Sequence, residues 1–302
     1  MRIGIMIGEV AGPVTADGLK DQVTAASEVD TLWSAQALGW DALTALTLAG
    51  AHAPHVRLGT AVVPVRQRHP LVLAGQALSV QAATGNRLTL GIGAGVGVMV
   101  GGMFGLPTDR PAAFMHEYLA GLLPLLHGEP VAVAGDFLTI RGTTQVPGAE
   151  PPPVLLAALG PAMLRLAGSV ADGAVTWMTG ARTLESHVVP RVIAAAQGRP
   201  APRIVAGLPV CVTGDPSGAR ARIADRFGMA AQVPEYRRVL DLEGVTAPQD
   251  VALIGDEETV SGAIGRLAET GITEFAAAPA GTPAEQQRTT ALLRHLASPP
   301  KA

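Results

Sequence analysis

The chain has 302 residues, enough for one large barrel or two ordinary domains, each with a substantial core. A net charge of −3, with no basic tract and no interleaving of basic and aromatic residues, removes nucleic acid from the expected partners. Hydrophobic residues make up 48% and aromatics only 3%, so Ala, Val and Leu must fill the core, and extended disorder is excluded.

Short β-like runs alternate with helical periods along the whole chain, the pattern of a parallel sheet with crossover helices. Arg2–Ile7 reads as strand one and Asp17–Glu28 as its helix. Asp30–Ser34 and Trp40–Ala51 form the second pair, and Arg57–Val63 with Leu71–Ala83 the third. Arg87–Gly93 is strand four. It is followed by a glycine-rich loop and a long helix, Arg110–Leu126, with Asp109 as its cap and Pro111 in its first turn. An inserted hairpin at about 130–146 turns at Gly135-Asp136. Val154–Ala158 and Pro161–Gly168 are the fifth pair, and Gly173–Trp177 and Leu184–Gln197 the sixth. Arg203–Thr213 and Ser217–Met229 are the seventh. A polar helical excursion covers about 230–250. Asp256–Thr270 is helical with Asp256 as N-cap, Glu274–Ala278 is strand eight, and Pro283–Leu296 closes the chain. Eight strands, each trailed by a helix, predict a single (β/α)8 barrel domain over residues 1–302. The 36 glycines and 24 prolines, about a fifth of the chain against roughly 12% on average, fit its many tight turns.

Cys211 is the only cysteine, which rules out an internal disulfide; within PVCVT it reads as a small core residue. MRIGIMIGEV is a first strand rather than a signal peptide, which predicts a cytoplasmic protein. Leu88–Leu106 is uncharged and carries Gly93, Gly97, Gly101 and Gly105 at every fourth position, a membrane helix-packing spacing. Glycine dilutes its hydrophobicity and no second span exists, so a strand running into a loop is the preferred reading and no membrane is expected. The histidines show no metal-ligand spacing, and no metal is expected.

VLLAALGPAMLRLAG (154–168) and ADGAVTWM (171–178) each place a buried strand before a tight turn and a helix start. Barrels of this kind hold phosphate late in the sequence, on free N–H groups at helix N-termini. Gly160 and Gly180 would let backbone approach an anion closely. A phosphate-bearing cofactor is the expectation.

Three longer segments carry a family likeness. GTAVVPVRQRHPLVLAGQALSVQAATGNRLTLGIGAG (59–95) resembles strands three to four of the bacterial luciferase-like superfamily. MFGLPTDRPAAFMHEYLAGLLPLLHGEPV (103–131) and LLAALGPAMLRLAGSVADGAVTWMTG (155–180) resemble its actinobacterial branch of coenzyme F420-dependent oxidoreductases. The resemblance implies a (β/α)8 barrel that binds F420, or alternatively FMN, at the C-terminal strand ends. It also implies a non-proline cis peptide at Ala61–Val62 behind the ring.

Carried over by position, Ala157, Ala158, Leu159 and Gly160 would hold the cofactor phosphate through their N–H groups, with the Thr176 hydroxyl beside them. Trp177 stands at the end of the same strand, as a cofactor contact or a core aromatic. Gly93, Ala94 and Gly95 would lie next to the ring, and Trp33 would line its pocket or pack the core. The acidic residue and histidine that several relatives place after strand two are missing; Gln36 and Ala37 stand there, and Val96 replaces a strand-four carboxylate. Catalytic candidates at the strand ends are therefore Glu9, Gln36 and His69, each with a structural alternative. Arg66, Arg68 or Arg182 would meet the acidic tail of F420. Val96, Val98, Met99, Val100, Met103 and Phe104 would form an apolar substrate pocket or pack against the barrel. The resemblance thus implies hydride transfer with a small organic substrate in a homodimer. FMN-dependent oxygenation and non-catalytic cofactor binding remain the alternatives.

Overall fold

The computed structural model describes residues 1–297. Twelve strands are present among them: β1 (Arg2–Ile7), β2 (Thr31–Ser34), β3 (Arg57–Thr60), β4 (Val63–Pro64), β5 (Leu88–Gly93), β6 (Val131–Ala134), β7 (Thr139–Gly142), β8 (Val154–Ala157), β9 (Gly173–Trp177), β10 (Arg203–Val212), β11 (Leu253–Gly255) and β12 (Glu274–Pro279). Eight of them close a parallel ring in the order β1, β2, β3, β5, β8, β9, β10, β12 and back to β1. This is a (β/α)8 barrel, and all its strand C-termini open at one mouth.

The helices are α1 (Ala16–Ala25), α2 (Ala42–His52), α3 (Pro70–Thr84), α4 (Gly97–Val100), α5 (Pro111–Leu126), α6 (Pro161–Ser169), α7 (Ala181–Thr183), α8 (Val189–Ala195), α9 (Pro216–Phe227), α10 (Pro234–Glu243), α11 (Glu257–Glu269) and α12 (Pro283–Ala297). A π turn over Leu184–Val188 joins α7 to α8, so that helix begins three residues before the sequence predicts. None of the described helices is long and apolar enough to cross a membrane.

Four local features depart from the sequence reading. The third strand is not continuous: β3 stops at Thr60, a cis Ala61–Val62 peptide follows, and β4 resumes the pairing with β5. The excursion holds α10, and the chain after it adds β11, an unanticipated strand on the far end of β10. The apolar run VALIG (251–255), between Asp250 and Asp256, is too short for periodicity to tell strand from helix. Asp109 does not cap α5; Arg110 stands at that position with φ 46° and no side-chain cap bond. The first helix ends at Ala25 rather than Glu28. Asp256 caps α11 as expected, accepting from the Thr259 N–H. The hairpin β6–β7 is antiparallel and is tied to α5 by the Glu117 carboxylate, which accepts the Phe137 and Leu138 N–H groups.

Most of the core lies between the barrel and its helices. A separate cluster of Met6, Trp33, Leu155, Val175, Val205, Ala276 and Ala278 draws on six of the eight ring strands and fills the barrel interior. Trp33 is wholly buried there, and its ring lies against Gly4 and Gly59, where any Cβ would collide with it. One large aromatic therefore occupies a space that its neighbours vacate by lacking side chains. Below it, Glu274 is also fully buried. It accepts the Trp33 indole N–H at 2.9 Å and pairs with Arg203 at 3.0 Å and Arg2 at 3.2 Å, while Arg203 reaches Thr89 at 2.9 Å. The bottom of the barrel is thus closed by a hydrogen-bonded charged plug.

Candidate active site

The mouth of the barrel has an apolar floor. Val10, Ala35, Ala61, Val62 and Trp177 are partly buried and rest on the interior cluster. The Val62 side chain covers the Cα positions of Gly91 and Gly93; a Cβ on Gly93 would stand 3.0 Å from both Val62 and the Ala157 methyl. Gly95 follows at φ 80°, with Ala94 half-buried before it. Ala61, Val62, Gly93, Ala94 and Gly95 therefore converge on one side of the opening.

Trp33 lies beneath this floor and does not line an open pocket, because its strand position turns it inward. Trp177 reaches the rim. Its ring lies over Gly207 and meets Phe227 edge-on, with ring centroids 5.7 Å apart. Arg226 beside Phe227 donates to the carbonyls of Glu9 and Val10, clasping the end of α9 to the loop after β1.

The two predicted anion-binding turns differ. At Gly160 a Cβ would meet nothing within 4 Å, and no side chain caps α6. The N–H groups of Leu159 and Gly160 find no acceptor among the described residues. Those of Ala162 and Met163 are left over by the helix geometry itself. Thr176, level with this turn on the neighbouring strand, has a buried hydroxyl without a partner. Free donors, open space and an orphaned hydroxyl fit a phosphate. Ala158 is a correction: its N–H is spent on Val175 O at 3.2 Å, so it is bonded to the neighbouring strand and is not free for an anion.

At Gly180 the space is filled. The Glu243 carboxylate accepts the N–H of Thr183 at 2.8 Å and of Arg182 at 3.2 Å, and stands where a Gly180 Cβ would be. The second helix start thus already holds an internal anion. No sequence signal marks Glu243, which lies 60 residues away.

The catalytic candidates stand at separate points. Glu9 is half-buried, its carboxylate over Gly39 and within electrostatic reach of Arg226, and that carboxylate makes no hydrogen bond among the described residues. The Gln36 side-chain oxygen accepts from the Ala42 N–H at 3.4 Å, at the start of α2. His69 caps α3, with Nδ1 accepting from Leu71 at 3.3 Å and Nε2 donating to Thr139 O at 3.0 Å. Both His69 nitrogens are therefore used to hold α3 against the hairpin. Burial, and then the Glu285 charge, push the Cys211 thiol up to about 11, consistent with an inert core residue.

His187, on the π turn, donates from Nε2 to Leu159 O at 3.0 Å and so supports the α6 turn from behind. Burial lowers its pKa, which the Leu159 bond partly opposes and the Arg191 and Arg238 charges reinforce. It is held neutral at pH 7.

A model of the luciferase-like monooxygenase family matches residues 1–285. The chain belongs to this family of enzymes. It is 31% identical over 229 residues to an uncharacterised protein of Mycobacterium tuberculosis, covering 70% of this chain and 67% of that one. It is also 31% identical over 225 residues to the F420-dependent glucose-6-phosphate dehydrogenase of Beutenbergia cavernae, covering 71% of this chain and 65% of the relative. In fold it is similar to an F420-dependent secondary alcohol dehydrogenase in complex with an F420-acetone adduct, with TM-score 0.83, 17% identity and 97% of each chain covered.

Proposed function

We propose that this chain is a coenzyme F420-dependent oxidoreductase that moves a hydride between C5 of the deazaflavin and an apolar organic substrate. The observation that carries this reading is the open start of α6, where backbone donors stand unpaired level with the orphaned Thr176 hydroxyl on the neighbouring strand. The F420-linked relative and the F420-bound neighbour support a deazaflavin over FMN.

When bound, the deazaflavin supplies two-electron hydride chemistry, and the protein supplies grip, orientation and exclusion of water. Leu159, Gly160, Ala162, Met163 and Thr176 would hold the phosphate. Ala61, Val62, Gly93, Ala94 and Gly95 would carry the ring, with Trp33 supporting the floor and Trp177 closing one side. Val98 on α4 and Met103 and Phe104 just after it are exposed within one short segment and favour an apolar substrate, since grouped exposed apolar side chains mark binding surfaces. Glu9 is the candidate proton-holding group, because Gln36 and His69 are committed to the starts of α2 and α3.

Titration of the purified protein with F420 and with FMN, followed by fluorescence, tests this reading. Saturable F420 binding at least tenfold tighter than FMN binding is expected. Preference for FMN would overturn it.

A further inference from the structure

Thirteen arginines among the described residues hand their guanidinium to a carboxylate or a backbone carbonyl. The candidates for the acidic tail named from sequence divide along this line. Arg66 donates to Asp109 O at 2.7 Å and lies over Phe114, and Arg68 pairs with Asp41. Both are already engaged. Arg182 and Arg238 make no side-chain hydrogen bond or ion pair among the described residues, and both are exposed. Arg165 on α6 and Arg237 on α10 share that state, so four unengaged arginines stand on the three elements α6, α7 and α10.

The π turn links α7 to the phosphate turn, and Thr183 ties α7 to α10 through Val239 O and Glu243. His187 ties the π turn to Leu159, Arg191 Nη1 donates to His187 O at 2.9 Å, and Arg238 lies close enough to His187 to depress its protonation. Glu243 binds the end of α10 to the start of α7, which brings Arg182 beside Gly244. Its carboxylate accepts two backbone N–H groups and makes no ion pair with Arg182 or Arg238. The carboxylates of Glu185, Glu235 and Asp241 on the same segments are exposed and form no ion pair with either arginine.

We infer that Arg182 and Arg238 form a second anion site, next to the α6 turn, that takes the carboxylates of the cofactor's glutamyl tail. The inference rests on the deazaflavin reading above. A flexible chain of carboxylates leaving the phosphate would pass between free guanidinium groups held by α7 and α10. Each such contact is solvent-exposed, so its contribution is modest and falls with salt.

The test compares F420 carrying several glutamates with the same phospholactyl deazaflavin lacking them, in binding titrations at low and high salt. Wild-type protein should bind the tailed form about five- to tenfold tighter, with the advantage shrinking as salt rises. The double variant Arg182→Ala/Arg238→Ala should lose that advantage while binding the tail-less form unchanged, with an unaltered melting temperature. Arg266→Ala, an unengaged arginine on α11, should behave as wild type. Equal affinity of wild type for both forms, or an equal effect of Arg266→Ala, overturns the tail site and leaves the phosphate reading intact. Failure of wild type to bind either deazaflavin overturns the functional reading instead.

Discussion

Gly160→Asp will leave the barrel folded and cost at least a hundredfold in cofactor affinity. The position has φ −85° and ψ 156°, an ordinary extended conformation that any residue adopts before proline. A Cβ there meets nothing within 4 Å. Aspartate is a favoured N-cap, so its carboxylate will accept the free N–H groups at the start of α6 and stabilise the helix by about a few tenths of a kcal/mol over glycine. The same carboxylate then occupies the phosphate's donors and repels its charge, a loss of about 3 kcal/mol or more in binding. Gly160→Asn takes the same donors without the charge and should bind at least tenfold better than the aspartate variant. Thermal melting and cofactor titration on the two variants separate stability from binding. Unchanged affinity in Gly160→Asp would show that no anion sits at this turn. Glu243 is a natural precedent, since the protein itself places a carboxylate on the neighbouring helix start.

Glu274→Ala is expected to be the most destabilising single change at the bottom of the barrel. Glu274 is fully buried and serves Trp33, Arg203 and Arg2 at once. Its removal leaves Arg203 without its carboxylate and the Trp33 indole N–H without an acceptor. Breaking a buried pair by deleting one partner costs about 3–5 kcal/mol. Burial already disfavours the charged Arg203, and the Glu274 charge opposes that shift. The double variant Glu274→Leu/Arg203→Met should recover much of the loss, because well-packed apolar groups can replace a buried pair at little cost. Urea denaturation read by Trp fluorescence measures both. A loss below about 1 kcal/mol in the single variant would mean that the plug contributes little beyond packing. Because Trp33 supports the floor of the mouth, the single variant should also weaken cofactor binding.

The ring of eight strands was legible because each strand is an apolar run separated from the next by a helical period. Val154–Ala157 and Gly173–Trp177 show this well: both are buried strands that run straight into helix-starting turns. What escaped the sequence depends on contacts between distant residues. The closing of the Gly180 turn by Glu243 spans 60 residues, and the Trp33–Glu274 bond spans 241. Such pairings leave no local pattern. Trp33 sits at a strand end, where a rim residue and an interior residue look alike in sequence; only the glycines at 4 and 59 betray the space prepared for it. Ala158 was read as a free donor although it closes the strand; its N–H is taken by Val175 O across the ladder, a partner that the local pattern does not show. The cis peptide at Ala61–Val62 stands where the family resemblance put it, and local composition alone would not have located it.

A crystal structure of the complex with F420 tests the central claim most directly. The phosphate is predicted within hydrogen-bond distance of the N–H groups at residues 159, 160, 162 and 163 and of the Thr176 hydroxyl. A phosphate bound at another strand end, with the start of α6 left to solvent, would contradict the account.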